Sequence, residues 1–178
     1  MEEYLDIVDE DGNITGEKEL RSVVHEKGLW HRTAHIYFYR VLNGEIQLLP
    51  HLRSKLKSSN PNKWDTRFGG HVESGQTLEE TVIKEICEET GLNISLDDLI
   101  IGPQGKYDGG VNKEIVGQFY YNFNGEPSEL KFNDGEVQKA KWMFIDEIRK
   151  SIEDEPQNWT SGKEGFEMIV KDLMSKIN

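Results

Sequence analysis

The chain has 178 residues, enough for one domain with its own hydrophobic core, and a formal net charge of −12. A surface that acidic is repelled by nucleic-acid backbones and anionic membranes, so neither is expected as a partner; a small anionic substrate stays open because a bound cation can reverse the local field. The single cysteine, Cys87, excludes an intramolecular disulfide, the acidic N-terminal stretch is unlike a signal peptide, and no apolar run approaches membrane-spanning length, which together suit a cytoplasmic protein.

Tyr4–Asp9 alternates as a strand does, Asp11-Gly12-Asn13 is a turn, and Ile14–Lys18 can pair back as a hairpin. Glu19–His25 reads as a connector with about one helical turn. His35–Leu42 is aromatic and β-branched, a strand, and Asn43-Gly44 turns it into its partner Glu45–Leu49. His51–Trp64 is polar, with Asn60-Pro61, and reads as an exposed loop. The short β-like run Asp65–Phe68 then meets a glycine pair, followed by a loop holding Glu73 and Gly75. A helix starts at Thr77, which with Glu80 makes a capping box, and Gly91 ends it as a left-handed C-cap. Leu78, Val82 and Ile86 recur every four residues and form its inward face; Cys87 is expected as a small buried residue on the same helix.

Ile100–Tyr107 and Lys113–Phe123 are strands joined by an Asp108-Gly109-Gly110 turn. Lys139–Ile145 is a strand carrying Trp142 and Phe144, and Asp146 is expected to cap a short helix through about Ile152. Thr160 or Ser161 would cap a last helix in which Phe166, Ile169, Val170, Leu173 and Met174 follow helical spacing. The pattern predicts one mixed sheet with helices on both sides, an α/β sandwich. It would form one domain over residues 1–178, with a hairpin and connector in 1–30 and the closing helix in 156–178.

Glu85, Glu88 and Glu89 stand at i, i+3 and i+4 and so share one helical face. Like charges at this spacing cost a few tenths of a kcal/mol each, and the helix dipole disfavours them near its C-terminus. A hard divalent cation such as Mg²⁺ or Mn²⁺ relieves that repulsion, because it takes oxygen ligands. Alone, E-x-x-E-E reads as a solvated acidic face; the glycine loop in front of it favours the metal.

Phe68–Leu92 resembles the Nudix box, G-x5-E-x7-R-E-U-x-E-E-x-G-U with U aliphatic. From Gly70 to Leu92 every spacing is kept, with Gln76 for Glu and Lys84 for Arg as departures. In the family those two positions brace the loop against the helix, so Gln76–Lys84 would keep a hydrogen bond and lose a charge-assisted one. The resemblance implies the Nudix α/β/α sandwich and a hydrolase that cleaves a diphosphate linkage in a small organic or nucleoside diphosphate derivative. Glu85, Glu88, Glu89 and the carbonyl of Gly70 would hold Mg²⁺ or Mn²⁺, and Glu85, Glu114 or Glu136 would be the general base. Arg67, Lys55, Lys57 and Lys63 could meet phosphates, and Trp30, Trp64, Tyr107, Tyr120 or Trp142 could stack on a base or ring.

The N-terminal LDIVDEDGNITG and HEKGLWHRTAHIYFY, the RFGGHVESGQT junction and the EVQKAKWMFIDEI ending are similar to the branch that contains isopentenyl diphosphate isomerases. In those isomerases histidines and a later carboxylate bind a metal; the matching positions are His25, His31, His71 and Glu114. Hydrogen-bonded histidines at a strand entry are the plainer reading, and His71, directly after Gly70, is the best single ligand. The isomerases also need a cysteine just before the glycine–histidine pair, where this chain has Arg67-Phe68-Gly69-Gly70. That absence, with the complete glutamate trio, points to hydrolysis by a monomer or homodimer. An isomerase-like enzyme and a catalytically silent nucleotide- or protein-binding module are the alternatives, the latter on the strength of Gln76 and Lys84. The loops that would set specificity are His51–Trp64, Pro103–Asn112 and Phe123–Val137.

Overall fold

The computed structural model describes residues 2–57, 59–132 and 135–177. Elements follow in the order β1 (Tyr4–Val8), β2 (Ile14–Leu20), α1 (Arg21–Lys27), β3 (Trp30–Leu42), β4 (Glu45–Leu48), β5 (His51–Arg53), β6 (Trp64–Asp65), β7 (Phe68–His71), α2 (Leu78–Thr90), β8 (Leu99–Asp108), β9 (Lys113–Asn122), β10 (Val137–Ala140), β11 (Met143–Phe144), α3 (Ile145–Asp154) and α4 (Lys163–Ile177).

β3 is the axis. It pairs parallel with β9 along one edge; on the other edge its first half pairs antiparallel with β7 and its second half with β4. The central sheet runs β11-β4-β3-β9-β8, with β7 beside β3. Side chains of a strand alternate between faces. Ala34, Ile36 and Phe38 pack with Val82 and Ile86 of α2, while Tyr37 and Tyr39 pack with Ile148 of α3 and Ile169, Val170 and Leu173 of α4. The expected α/β/α sandwich with a mixed sheet is therefore the observed fold. Each fully buried Ile, Leu or Phe adds about 1.5–3 kcal/mol relative to exposure, which is why the second half of β3, Ile36–Tyr39, is apolar on both faces.

α2 forms as the sequence predicts. Thr77 Oγ1 accepts from the Glu80 N–H at 3.1 Å, Glu80 Oε2 accepts from the Thr77 N–H at 2.9 Å, and Gly91 closes the helix at φ 73°. The N-terminal hairpin β1–β2 packs against its loop: Asp6 accepts from Ser74 Oγ at 2.7 Å and from the Gly75 N–H at 3.0 Å, and the Ser74 N–H donates to Tyr4 O at 2.8 Å.

Several local expectations are corrected. His51–Trp64 is not all loop: β5 pairs with β6 and β10, and the buried His51 ring stacks on Phe68 at 4.4 Å. Residue 58 of that loop, and 133–134 of the loop after β9, lie outside the described residues. The strand expected over Lys139–Ile145 is split into β10 and β11. Asp146 does not cap α3. Phe144 holds the cap position, its N–H donating to Glu147 at 2.8 Å, and Asp146 pairs with Arg149 instead. Neither Thr160 nor Ser161 opens α4, whose first turn closes from Phe166 N–H to Gly162 O at 3.1 Å. Met174 is exposed, and so is Cys87, which lies on the solvent side of α2 rather than its core face.

Candidate active site

β7 is a glycine edge that α2 can touch. Gly69 has φ 129°, and a Cβ there would lie 2.0 Å from the Ala34 carbonyl oxygen, so only glycine fits. A Cβ on Gly70 would lie 2.6 Å from Glu85 Oε1, so the Glu85 carboxylate rests on bare backbone. One turn on, Glu89 Oε2 accepts from the Gly69 N–H at 3.0 Å. Glu88 is exposed at the rim.

The electrostatics record the crowding. Burial, reinforced by the charge of Glu88, pushes Glu85 up to about 7. Burial, then Glu85, raises Glu89 well above the usual carboxylate range, against the pull of the Gly69 hydrogen bond. Glu136 joins this group: its charge acts on both glutamates, and it is ion-paired to Lys57. The expected Gln76–Lys84 brace is absent. Lys84 pairs with Glu73, and Gln76 Oε1 accepts from Thr81 Oγ1 at 3.1 Å. Loop and helix are thus still tied by a charged pair, moved three positions toward β7.

Glu114 lies elsewhere. It pairs with His31 across β3 and β9, and Asn112 Nδ2 donates to its Oε1 at 2.8 Å. His31, Thr33 and His35 point to the α4 face of the sheet, opposite to Ala34 and Ile36; His71 lies across from Thr33 and points the same way. His25 comes in from α1. Ring nitrogens of His25, His31 and His71 lie within 4.8 Å of one another, and the Nε2 atoms of His25 and His71 are 3.2 Å apart. His31 is fully buried; its Nδ1 is 3.0 Å from Leu29 O, and its Nε2 has no hydrogen-bond partner among the described residues. Burial, then Arg21, lowers His71 to about 2, and burial, then His31, lowers His25. Neutral imidazoles with converging lone pairs are the form that ligates a transition metal.

On that same face a cleft of about 740 Å³ opens between the sheet and the start of α4. Arg67 borders it, 3.3 Å from the buried Asp65 carboxylate, and Arg53 reaches the same carboxylate at 3.7 Å. Burial raises the Asp65 carboxyl, but Arg67 and His51 outweigh it and hold it below the usual range. Lys55 and Lys63 do not line the cleft, and Tyr107 does, unlike the tryptophans. Sequence reasoning missed Asp65, Arg53 and Gln118 here; an acid and a base two apart, Asp65 and Arg67, was the available signal, and the chain between β6 and β7 brings them together.

A NUDIX-domain family model matches residues 29–163. The chain belongs to the Nudix family. Within it the chain is a Nudix hydrolase, of the branch that also holds isopentenyl diphosphate isomerases. An uncharacterised Nudix hydrolase of Clostridium acetobutylicum is 30% identical over 85% of this chain and 75% of its own. An isopentenyl-diphosphate Delta-isomerase of Photobacterium profundum is 22% identical over 99% of both chains. A Deinococcus radiodurans protein of known crystal structure superposes with a TM-score of 0.68 at 24% identity, covering 93% of this chain and 98% of that one, a likeness of fold. No helix among the described residues is long and apolar enough to cross a membrane.

Proposed function

We propose that the chain is a Mg²⁺- or Mn²⁺-dependent pyrophosphohydrolase acting on a small organic or nucleoside diphosphate derivative. The observation that carries this is the crowding of Glu85 and Glu89 against Gly69–Gly70, with Glu85 raised by burial and the charge of Glu88, and Glu89 by burial and the charge of Glu85. A cluster of that kind fits a hard divalent ion, which would be held by Glu85, Glu88, Glu89 and the Gly70 carbonyl. Such an ion neutralises phosphate charge and activates water for attack on phosphorus. Glu136 is the better general base, since its charge acts on both Glu85 and Glu89, whereas Glu114 accompanies the histidines. Arg67, held by Asp65, borders the cleft beside Glu114 on the face opposite the trio, so a phosphate it meets would lie at the β7 edge between the two; Lys55 and Lys63 do not line that cleft. The span 1–178 is read as one domain, supported by the contacts of the β1–β2 hairpin with the Ser74–Gly75 loop.

The converging His25, His31 and His71, with the unpartnered His31 Nε2, support a second transition-metal ion, Zn²⁺ or Mn²⁺, with Glu114 beside it. That cluster also favours the isomerase-like reading, which the missing cysteine opposes. The test is a phosphate-release screen with Mg²⁺ and Mn²⁺ over nucleoside triphosphates, dinucleotide polyphosphates, ADP-ribose, NADH, nucleotide sugars, thiamine diphosphate and prenyl diphosphates. Glu88→Gln should abolish any turnover with the melting temperature unchanged; full activity in that variant rejects the proposed ion site.

A further inference from the structure

A lysine reaches the carboxylate cluster from outside the motif. Lys57 Nζ pairs with Glu136, and its charge also acts on Glu89. The backbone builds this meeting. The Ser54 N–H donates to Glu136 O at 2.7 Å, and Val137 of β10 lies opposite Arg53 of β5. Gln138 Nε2 donates to Arg53 O at 2.7 Å and to Asn62 Oδ1 at 2.9 Å. After β5 the chain turns back, the Lys57 N–H meeting Ser54 O at 3.3 Å, which sets Lys57 against Glu136. Both side chains keep some solvent contact, at 26% and 38% exposure. Lys84, the other lysine beside the trio, is tied to Glu73, and its charge acts on Glu88 and Glu85 instead. Carboxylates gathered this closely need positive charge, from a metal or from an ammonium. An ammonium on a four-carbon stem is compact, mobile and strongly hydrated, so it gives up a part-exposed pair at small cost. An ion-paired carboxylate is also a poor proton acceptor, so a general base has to leave such a pair before it works.

We propose that Lys57 is a resident counter-ion of the carboxylate cluster: it neutralises Glu136 and Glu89 in the ion-free enzyme and withdraws when a divalent ion is bound there, which releases Glu136 to act as base. This rests on the metal-dependent hydrolase reading and adds to it the residue that couples occupancy of the ion site to the freedom of the base. Lys57 is thus a positioning residue, acting through Glu136.

The test is a calorimetric Mg²⁺ titration without substrate, in mildly alkaline buffer so that protons do not compete for the carboxylates. Mg²⁺ suits carboxylates rather than the imidazole cluster, so it reports on the trio. Lys57→Met keeps the stem and loses the charge; it should bind Mg²⁺ about fivefold tighter than wild type, the release of one part-exposed ion pair. Lys57→Arg keeps the charge and should gain no affinity. In EDTA, Lys57→Met should melt about 1–3 °C below wild type, and the loss should vanish in saturating Mg²⁺, the other side of the same cycle. Lys57→Gln serves if Lys57→Met fails to fold. An equal loss in both media, or Mg²⁺ affinity unchanged or weaker in Lys57→Met, marks the pair as a loop fastening; it overturns the inference and leaves the hydrolase reading standing. Tighter Mg²⁺ binding by Lys57→Met in a protein that cleaves no diphosphate sustains the counter-ion and overturns the hydrolase reading. Absence of saturable Mg²⁺ binding in wild type and variant overturns both.

Discussion

Replacing Gly70 by alanine isolates the contact between β7 and α2. The new Cβ would lie 2.6 Å from Glu85 Oε1 and 2.8 Å from Glu85 Cδ, where ordinary contact begins at 3.4 Å, so the carboxylate must retreat by about 0.8 Å (3.4 − 2.6). The φ of Gly70 is not in the left-handed region, and the obstacle is the end of a flexible side chain, so the fold should survive. Catalysis should not: a displacement near 1 Å can lower the rate about 10²-fold, roughly 2.7 kcal/mol of barrier. The assay is kcat at saturating Mg²⁺ beside a thermal melt, with a Mg²⁺ titration to detect weakened affinity. Gly69→Ala is the contrast. There the clash is with backbone, 2.0 Å from the Ala34 carbonyl at φ 129°, and the protein should fail to fold. A Gly70→Ala enzyme within threefold of wild-type kcat, at unchanged metal affinity, would refute the idea that Glu85 must lie on bare backbone.

Other expectations concern titration, metal sorting and the thiol. Folded Glu85 keeps its proton up to about 7, while the unfolded chain releases it near 4.5. Its contribution is therefore full below about 4.5 and lost as pH rises to about 7. His71 works in the opposite sense, being neutral when folded and protonated below 6.5 when unfolded, so the informative quantity in EDTA is wild type minus Glu85→Gln. That difference should decline across the window, and a flat difference counts against the raised carboxyl. His71→Ala should remove one equivalent of bound Zn²⁺ or Mn²⁺ that Glu88→Gln retains; equal stoichiometry in both variants dismisses the imidazole site. Cys87 should react with a disulfide reagent in the folded state, and Cys87→Ser should shift stability by no more than about 0.5 kcal/mol; a thiol that needs denaturant would contradict its exposure.

The α2 helix was legible down to its caps, because the capping box, the four-residue apolar spacing and Gly91 are local signals. So were the long strands β8 and β9. What failed was decided by distant contacts. His51 looked like loop because a lone histidine in a polar stretch gives no hint of the Phe68 ring above it. Cys87 was assigned inward by residue type, whereas the helix phase set by Val82 and Ile86 turns it out. Lys84 was paired with Gln76 by motif, while Glu73, also in the loop, offered a full charge. The glutamate trio could be placed on one helical face, whereas choosing Glu136 over Glu114 as its neighbour needed the fold, which sets Glu114 beside the histidines. The split between carboxylates on one face of β7 and imidazoles on the other required the register of β3 against β7 and β9.

The hairpin of β1 and β2 has a bearing on how the domain is to be delimited. The family match begins at residue 29, beyond both strands, yet Asp6 and Tyr4 hold the backbone of Ser74 and Gly75. Arg32 adds to the same clasp, 3.6 Å from Asp6 and 3.1 Å from the Gln76 carbonyl. A chain trimmed to the family boundary would keep every residue of the motif and lose the strand that holds its loop in register with the helix. The contacts of the motif loop thus reach beyond the family match, and a fragment starting at residue 29 is expected to lose activity through the missing clasp rather than the chemistry.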